Sequence, residues 1–296
     1  MIAGSRILIA IGGGIAALRA VEYARALARE GAEVEVVMTQ AAKRFMTPLA
    51  VQALVGAEPR SELFDPQAER AMGHIALARW PDAVLVMPAT ADLIARTAHG
   101  LADELATAVL LATRAPVVVV PAMNTAMWEH PATRRNLAEL QARGVSIVPP
   151  EAGELACGEV GEGRMASLGA VRLAVMRALS QSPLAGTRWV ITTGRTEEPW
   201  DEVRVLTNRA TGRMGAMIAE QAAGRGAEVI CIAGPGAATP HGAKVVSVRT
   251  AREMHRAALE HARGADVFVA AAAVSDYRPL APLAGKRKRV HEAELI

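Results

Sequence analysis

Short runs that are apolar at successive positions recur along this chain, and they limit its fold more than any other feature. Residues 6–11, 34–38, 83–87, 116–120 and 145–148 read this way, separated by helical patterns and turn signals. A strand with one wet face alternates apolar and polar residues, so a strand apolar throughout must be covered on both faces. Parallel strands need long crossovers, and helices in those crossovers supply the cover. The expected fold class is therefore α/β, a doubly wound parallel sheet. Its first helix is expected over residues 15–30, closed by Gly31.

After Ser180-Gln181-Ser182-Pro183, which reads as a linker, the pattern restarts. Strands over 188–193, 229–233, 244–248 and 267–270, with a helix over 213–225, predict a second nucleotide-fold unit. The expected domains are residues 1–182 and 183–296. A chain of 296 residues, 51% hydrophobic, can bury two cores of ordinary size. Its net charge of +3 is too mild to imply a nucleic-acid partner, although Lys286-Arg287-Lys288-Arg289 form a local basic run. Cys157 and Cys231 make neither a disulfide framework nor a zinc motif. No apolar stretch has the length of a leader core or a membrane span, so a cytoplasmic protein without membrane association is expected.

Gly12-Gly13-Gly14-Ile15-Ala16-Ala17 joins the first strand to the first helix. Glycines let backbone amides approach a phosphate, which also gains from the positive end of the helix. The spacing Gly12-x-Gly14-x-x-Ala17 fits a loose dinucleotide fingerprint, which expects an acidic residue closing the second strand. That strand ends Met38-Thr39 here, with Glu35 inside it. A mononucleotide is therefore favoured over NAD, and a tight turn without a ligand is the alternative on this loop alone.

Four further segments follow in order: Met72-Gly73-His74-Ile75-Ala76-Leu77; Pro88-Ala89-Thr90-Ala91-Asp92; Pro121-Ala122-Met123-Asn124-Thr125-Ala126-Met127-Trp128; and the run from Gly153 to Met165 that contains Ala156-Cys157-Gly158-Glu159. Together they resemble the flavin-dependent cysteine decarboxylase family, in its bifunctional bacterial form: phosphopantothenoylcysteine decarboxylase joined to phosphopantothenate–cysteine ligase. The resemblance implies a flavodoxin-like sheet followed by a partial Rossmann-like domain. It also implies an FMN cofactor, held by Gly12, Gly13, Gly14, Ile15, Thr39, Ala89, Thr90, Ala91 and Ala122. His74 is then the base, Asn124 orients the substrate carboxylate, and Cys157 delivers a proton from a lid. The implied reaction converts 4′-phosphopantothenoylcysteine to 4′-phosphopantetheine, and the implied assembly is a homo-oligomer, a trimer or a multiple of trimers. A non-catalytic, flavin-binding regulatory protein of the same fold is the alternative.

In the second half, Thr193-Gly194-Arg195-Thr196-Glu197-Glu198-Pro199, Thr207-Asn208-Arg209-Ala210-Thr211-Gly212-Arg213-Met214-Gly215 and Ala270-Ala271-Ala272-Ala273-Val274-Ser275-Asp276-Tyr277 resemble the ligase signature. The resemblance implies CTP and Mg²⁺, with no protein metal ligands. It places the nucleotide on Ala270, Ala271, Ala272, Asp276 and Lys286, and gives Asn208 and Lys286 roles in acyl-cytidylate chemistry. Departures are Gly12 where the family has Ser, Leu18-Arg19 for Tyr-Lys, Arg213 for Lys, and Arg287 and Arg289 in the basic run. The family's ligase half extends well past residue 296, so ligase activity is expected to be weak or absent. Cys231, flanked by Ile230 and Ile232, is expected in the core.

Overall fold

The computed structural model describes residues 2–64, 73–280 and 285. The chain divides into two compact units, Met1–Gln181 and Ser182–Ile296.

The first unit is built on five parallel strands: β1 (Arg6–Ile11), β2 (Glu33–Met38), β3 (Ala83–Ala89), β4 (Val117–Pro121) and β5 (Ser146–Ile147), in the order β2-β1-β3-β4-β5. This is the flavodoxin-like order, and the α/β expectation holds. Alternate residues of β1 serve two different cores. Ile7, Ile9 and Ile11 pack with Ala20, Val21, Ala24 and Leu27 of α1 (Ala17–Arg29), with Val51 of α2 (Pro48–Val55), and with Val171 and Val175 of a later helix, Leu168–Leu179. Leu8 and Ala10 face the other way. They pack with Leu77 of α3 (His74–Arg79), Leu93 and Ile94 of α4 (Ala91–Ala98), Val109 of α5 (Leu105–Ala112), Trp128 of α6 (Thr125–Glu129) and Leu137 of α7 (Pro131–Ala142). The helix Leu168–Leu179 is α8. Burial on both faces is the physical reason that β1 and β3 carry no polar residue in their centres; each such Ile or Leu contributes about 1.5–3 kcal/mol.

Helix α1 begins two residues later than its apolar spacing predicts, because Ala17 N already bonds Gly14 O at 2.9 Å and the residues before it belong to the glycine loop. A hairpin not foreseen in the sequence, β6 (Glu151–Glu154) and β7 (Val160–Arg164), precedes α8.

The second unit has four parallel strands, β8 (Arg188–Thr193), β11 (Glu228–Ala233), β12 (Lys244–Ser247) and β13 (Val267–Ala270), in the order β12-β11-β8-β13. Helices α9 (Arg213–Gly224) and α10 (Ala251–Ala262) pack on this sheet, and a short hairpin, β9 (Glu197–Pro199) with β10 (Val205–Thr207), follows β8. No helix among the described residues is long and apolar enough to cross a membrane.

Cys231 lies at the centre of β11 with no exposure, and burial pushes its thiol up to about 11. At pH 8 its thiolate fraction is then about one part in a thousand. Cys157, in contrast, is exposed. We predict that a thiol reagent titrates one cysteine rapidly in the native protein, at Cys157, and the second only after unfolding. Rapid reaction of both thiols under native conditions would contradict the placement of Cys231.

Candidate active site

In an open parallel sheet, ligands bind beyond the carboxyl ends of the strands, where neighbouring connections leave in opposite directions. In the first unit that point lies between β1 and β3. The glycine loop after β1 and the Pro88–Thr90 segment after β3 meet there, and Gly12 N donates to Pro88 O at 3.1 Å. A Cβ on Gly12 would run into that same carbonyl. Glycine at this position therefore fits the backbone, and the serine of the family pattern has no room for its Cβ in this arrangement.

Gly13 is as closely confined: a Cβ there would meet Ala41, 2.7 Å from its carbonyl carbon. Ala41 is held by the turn that follows β2, where Thr39 Oγ1 accepts from Ala42 N at 3.1 Å. Three strand ends thus converge on one loop. The amides of Gly13, Gly14 and Ile15 donate to no acceptor among the described residues, and no side chain caps α1. Orphan amides at a helix N-terminus suit a phosphate. Thr90 caps α4, its hydroxyl accepting from Leu93 N at 3.2 Å, and Ala122 N bonds Ala89 O at 3.1 Å. Together with the start of α4 at Ala91, the predicted cofactor residues after β1, β2, β3 and β4 all lie at this end of the sheet. They fit a phosphorylated mononucleotide.

Asn124 and Cys157 are brought together although 33 residues separate them. Asn124 caps α6: its Oδ1 accepts from Ala126 N at 2.8 Å, which fixes the amide plane. Its Nδ2 then points at the β6–β7 hairpin, donating to Glu159 Oε2 at 2.6 Å and lying 3.6 Å from Cys157 Sγ. Cys157 sits in the hairpin turn, closed by Leu155 N to Glu159 O at 2.8 Å and by Gly158 N to Leu155 O at 2.9 Å.

Glycines flank Cys157 on both sides, and a glycine leaves the backbone free unless something packs on it. The structure gives two of them, Gly161 and Gly163, another role. Gly161 packs on Thr125 and Gly163 on the Met123 carbonyl, so close that no Cβ fits at either position. Met123 N donates to Gly163 O at 3.0 Å, and Trp128 Nε1 to Glu162 Oε2 at 3.1 Å. These contacts pin β7 to the Asn124 segment. Gly158, with φ +84 and open space around it, is the conformationally free residue at the tip. At the base, burial pushes the Glu151 carboxyl up, but hydrogen bonds from Ser167 and the charges of Arg164 and Arg19 outweigh it and hold the group below the usual range.

His74 opens α3 before β3, half-buried, and is not among the partners of the Asn124 amide. The sequence reading missed Glu159 and Glu162. No pattern in the sequence marks them, because tertiary contacts alone set which amide and which indole they meet.

The second unit repeats the geometric logic. Its reversal point lies between β8 and β13, and there Arg195 bridges Ala273. Ala271 N donates to Thr192 O at 3.2 Å, Ala272 N to Thr192 Oγ1 at 3.3 Å and Ala273 N to Gly194 O at 2.8 Å. Asn208 Nδ2 donates to Ala273 O at 2.6 Å, so its amide locks this loop. Ala270 and Asp276 are exposed beside it. Lys286 lies outside the described residues.

Comparison with known proteins agrees with this arrangement. The family model "Flavoprotein" matches residues 1–180, and "DNA/pantothenate metabolism flavoprotein C-terminal domain" matches residues 184–296. The chain is 45% identical over 296 residues to the coenzyme A biosynthesis bifunctional protein CoaBC of Vibrio cholerae, spanning all of this chain and 74% of that one. Among solved structures, a PPC decarboxylase variant complexed with pantothenoylaminoethenethiol is 30% identical with a TM-score of 0.52, covering 58% of this chain and 96% of that one. The FMN-dependent cysteine decarboxylase SpaF is 31% identical with a TM-score of 0.53, covering 61% and 100%. The chain therefore belongs to the flavoprotein class, and within it to the family of bifunctional coenzyme A biosynthesis proteins.

The glycine loop yields a sharp steric contrast. Gly13→Ala should abolish flavin retention, because its Cβ collides with Ala41 backbone. Gly14→Ala should keep the fold, since its Cβ would stand 3.8 Å from the nearest atom, Thr90 Cγ2. Thermal melts and bound-flavin absorbance of the two variants check this; equal flavin content in both would overturn it.

Proposed function

We propose that the first unit uses FMN to decarboxylate 4′-phosphopantothenoylcysteine to 4′-phosphopantetheine, in the cytoplasm and as a homo-oligomer. The observation that carries this reading is the 3.6 Å approach of the Asn124 amide to Cys157 Sγ beneath the hairpin. The domain limits at residues 182 and 183 belong to the same reading.

Losing carbon dioxide from a cysteine carboxylate leaves an electron pair that the carbon skeleton alone stabilises poorly. FMN, held by Gly12, Gly13, Gly14, Ile15, Thr39, Ala89, Thr90, Ala91 and Ala122, would supply a reversible two-electron oxidation at the sulfur end. Everything else falls to side chains of this chain. Asn124, its plane fixed by Ala126 N, donates to the carboxylate and orients the bond that breaks. Cys157 protonates the carbon left behind. His74 accepts the proton lost from the substrate thiol, as an imidazole can near neutral pH. A non-catalytic, flavin-binding role would not need a thiol and an amide aligned in this way.

For the second unit we propose CTP and Mg²⁺ binding and the joining of cysteine to 4′-phosphopantothenate. Ala270, Ala271, Ala272 and Asp276 are assigned to the nucleotide, and Asn208 and Lys286 to acyl-cytidylate chemistry. The orientation of the loop at the β8–β13 reversal supports this reading.

Purified protein should release FMN on denaturation. With Cys157→Ser, flavin content should match the parent chain, while an oxidised enethiol product lacking the hydrogens of the final reduction accumulates without oxygen. Mass spectrometry of the quenched mixture checks this. Release of FAD or NAD, or full turnover by the variant, would sink the proposal.

A further inference from the structure

We infer that Glu159 is a built-in competitor of the substrate: its carboxylate occupies the seat that Asn124 offers to the carboxylate of the substrate, which binds by displacing it. This rests on the reading of Asn124 as the carboxylate-orienting group.

The argument begins with the donors available. Asn124 has one NH₂ group, and its Oδ1 is committed to Ala126 N at 2.8 Å, so the amide cannot flip without uncapping α6. Of the two directions in which Nδ2 can donate, one meets Glu159 Oε2 at 2.6 Å and the other faces Cys157 Sγ at 3.6 Å. The short bond is charge-assisted, the geometry expected of a carboxylate site. The structure therefore presents this amide already holding a carboxylate, one supplied by the hairpin itself.

A second carboxylate cannot join the first on the same hydrogen without bringing like charges into contact. Exchange is the remaining route, and the hairpin is built for it. Glu159 is exposed, so its charge passes to water at little cost. It follows Gly158, whose left-handed backbone has open space around it. The strand beyond stays fixed through Gly161 and Gly163, so the turn can yield while β7 holds its place. A molecule without a carboxylate at that point gains nothing from the exchange and meets an amide already satisfied. Glu159 therefore lowers the acid's affinity and leaves that of the decarboxylated product unchanged, because the product has no carboxylate to compete for the seat.

The test is equilibrium binding of two ligands, measured anaerobically, to flavin-loaded chain whose flavin has first been reduced with dithionite, so that it cannot oxidise the acid. The ligands are 4′-phosphopantothenoylcysteine and 4′-phosphopantetheine. Adding Glu159→Ala, or Glu159→Gln, should tighten the acid by about three- to tenfold, the range of an exposed to partly desolvated charge-assisted bond. The product's affinity should stay where it is. Equal shifts for both ligands, no shift for either, or weaker binding of the acid would each overturn the inference while leaving the decarboxylase reading intact. Failure of the parent chain to bind either ligand would remove that reading and this inference with it.

Discussion

The hydrogen bond from Gly12 N to Pro88 O, 3.1 Å long, ties the loop after β1 to the loop after β3, and the cofactor end of the first unit is organised around it. It forms only because residue 12 has no side chain, and it closes the point where the sheet's connections diverge. With Ala41 pressed on Gly13 and Ala122 bonded to Ala89, the ends of β1, β2, β3 and β4 converge on a single patch of backbone. A sheet buried on both faces has little freedom to rearrange, so loops anchored to it inherit its rigidity.

The second constraint is also steric. Gly163, where a Cβ would strike the Met123 carbonyl, and Gly161, which lies against the Thr125 side chain, let β7 lie close on the Asn124 segment. Asn124 is held from below as the cap of α6 and from above by the hairpin, and Cys157 is delivered to it by a strand that cannot slide freely. Backbone contact thus fixes the separation of the Asn124 amide and the Cys157 thiol, as reaction between positioned groups requires. The second unit solves a similar problem with a side chain, since Asn208 reaches across to Ala273 and fixes the loop beside β13.

The parallel strands were legible because burial on both faces leaves runs such as Val117–Val118–Val119–Val120 with no polar interruption, and few other structures tolerate them. The glycine loop was legible because its residues serve one local purpose. The β6–β7 hairpin was not: Glu-Ala-Gly-Glu and Val-Gly-Glu-Gly-Arg carry little strand propensity, and they pair because tertiary contacts through glycine demand it. Glycine reads in sequence as freedom, and only coordinates show when it marks a close approach instead. Glu159 escaped notice for a related reason, since an exposed acid in a turn has no sequence pattern that reveals which amide it meets. The resemblance to a known family named Asn124 and Cys157 together, and the structure sets them 3.6 Å apart; their spacing across 33 residues alone could not have paired them.

The central claim is that the amide and thiol brought together by the hairpin carry out a decarboxylation. The most direct measurement supplies FMN-loaded chain with 4′-phosphopantothenoylcysteine labelled in the carboxyl carbon, and follows labelled carbon dioxide and 4′-phosphopantetheine together. The account predicts that both appear in equal amounts, and that Asn124→Ala removes both without removing the flavin. Unchanged release of carbon dioxide by Asn124→Ala, or untouched substrate in the presence of the flavin-loaded parent chain, would contradict it.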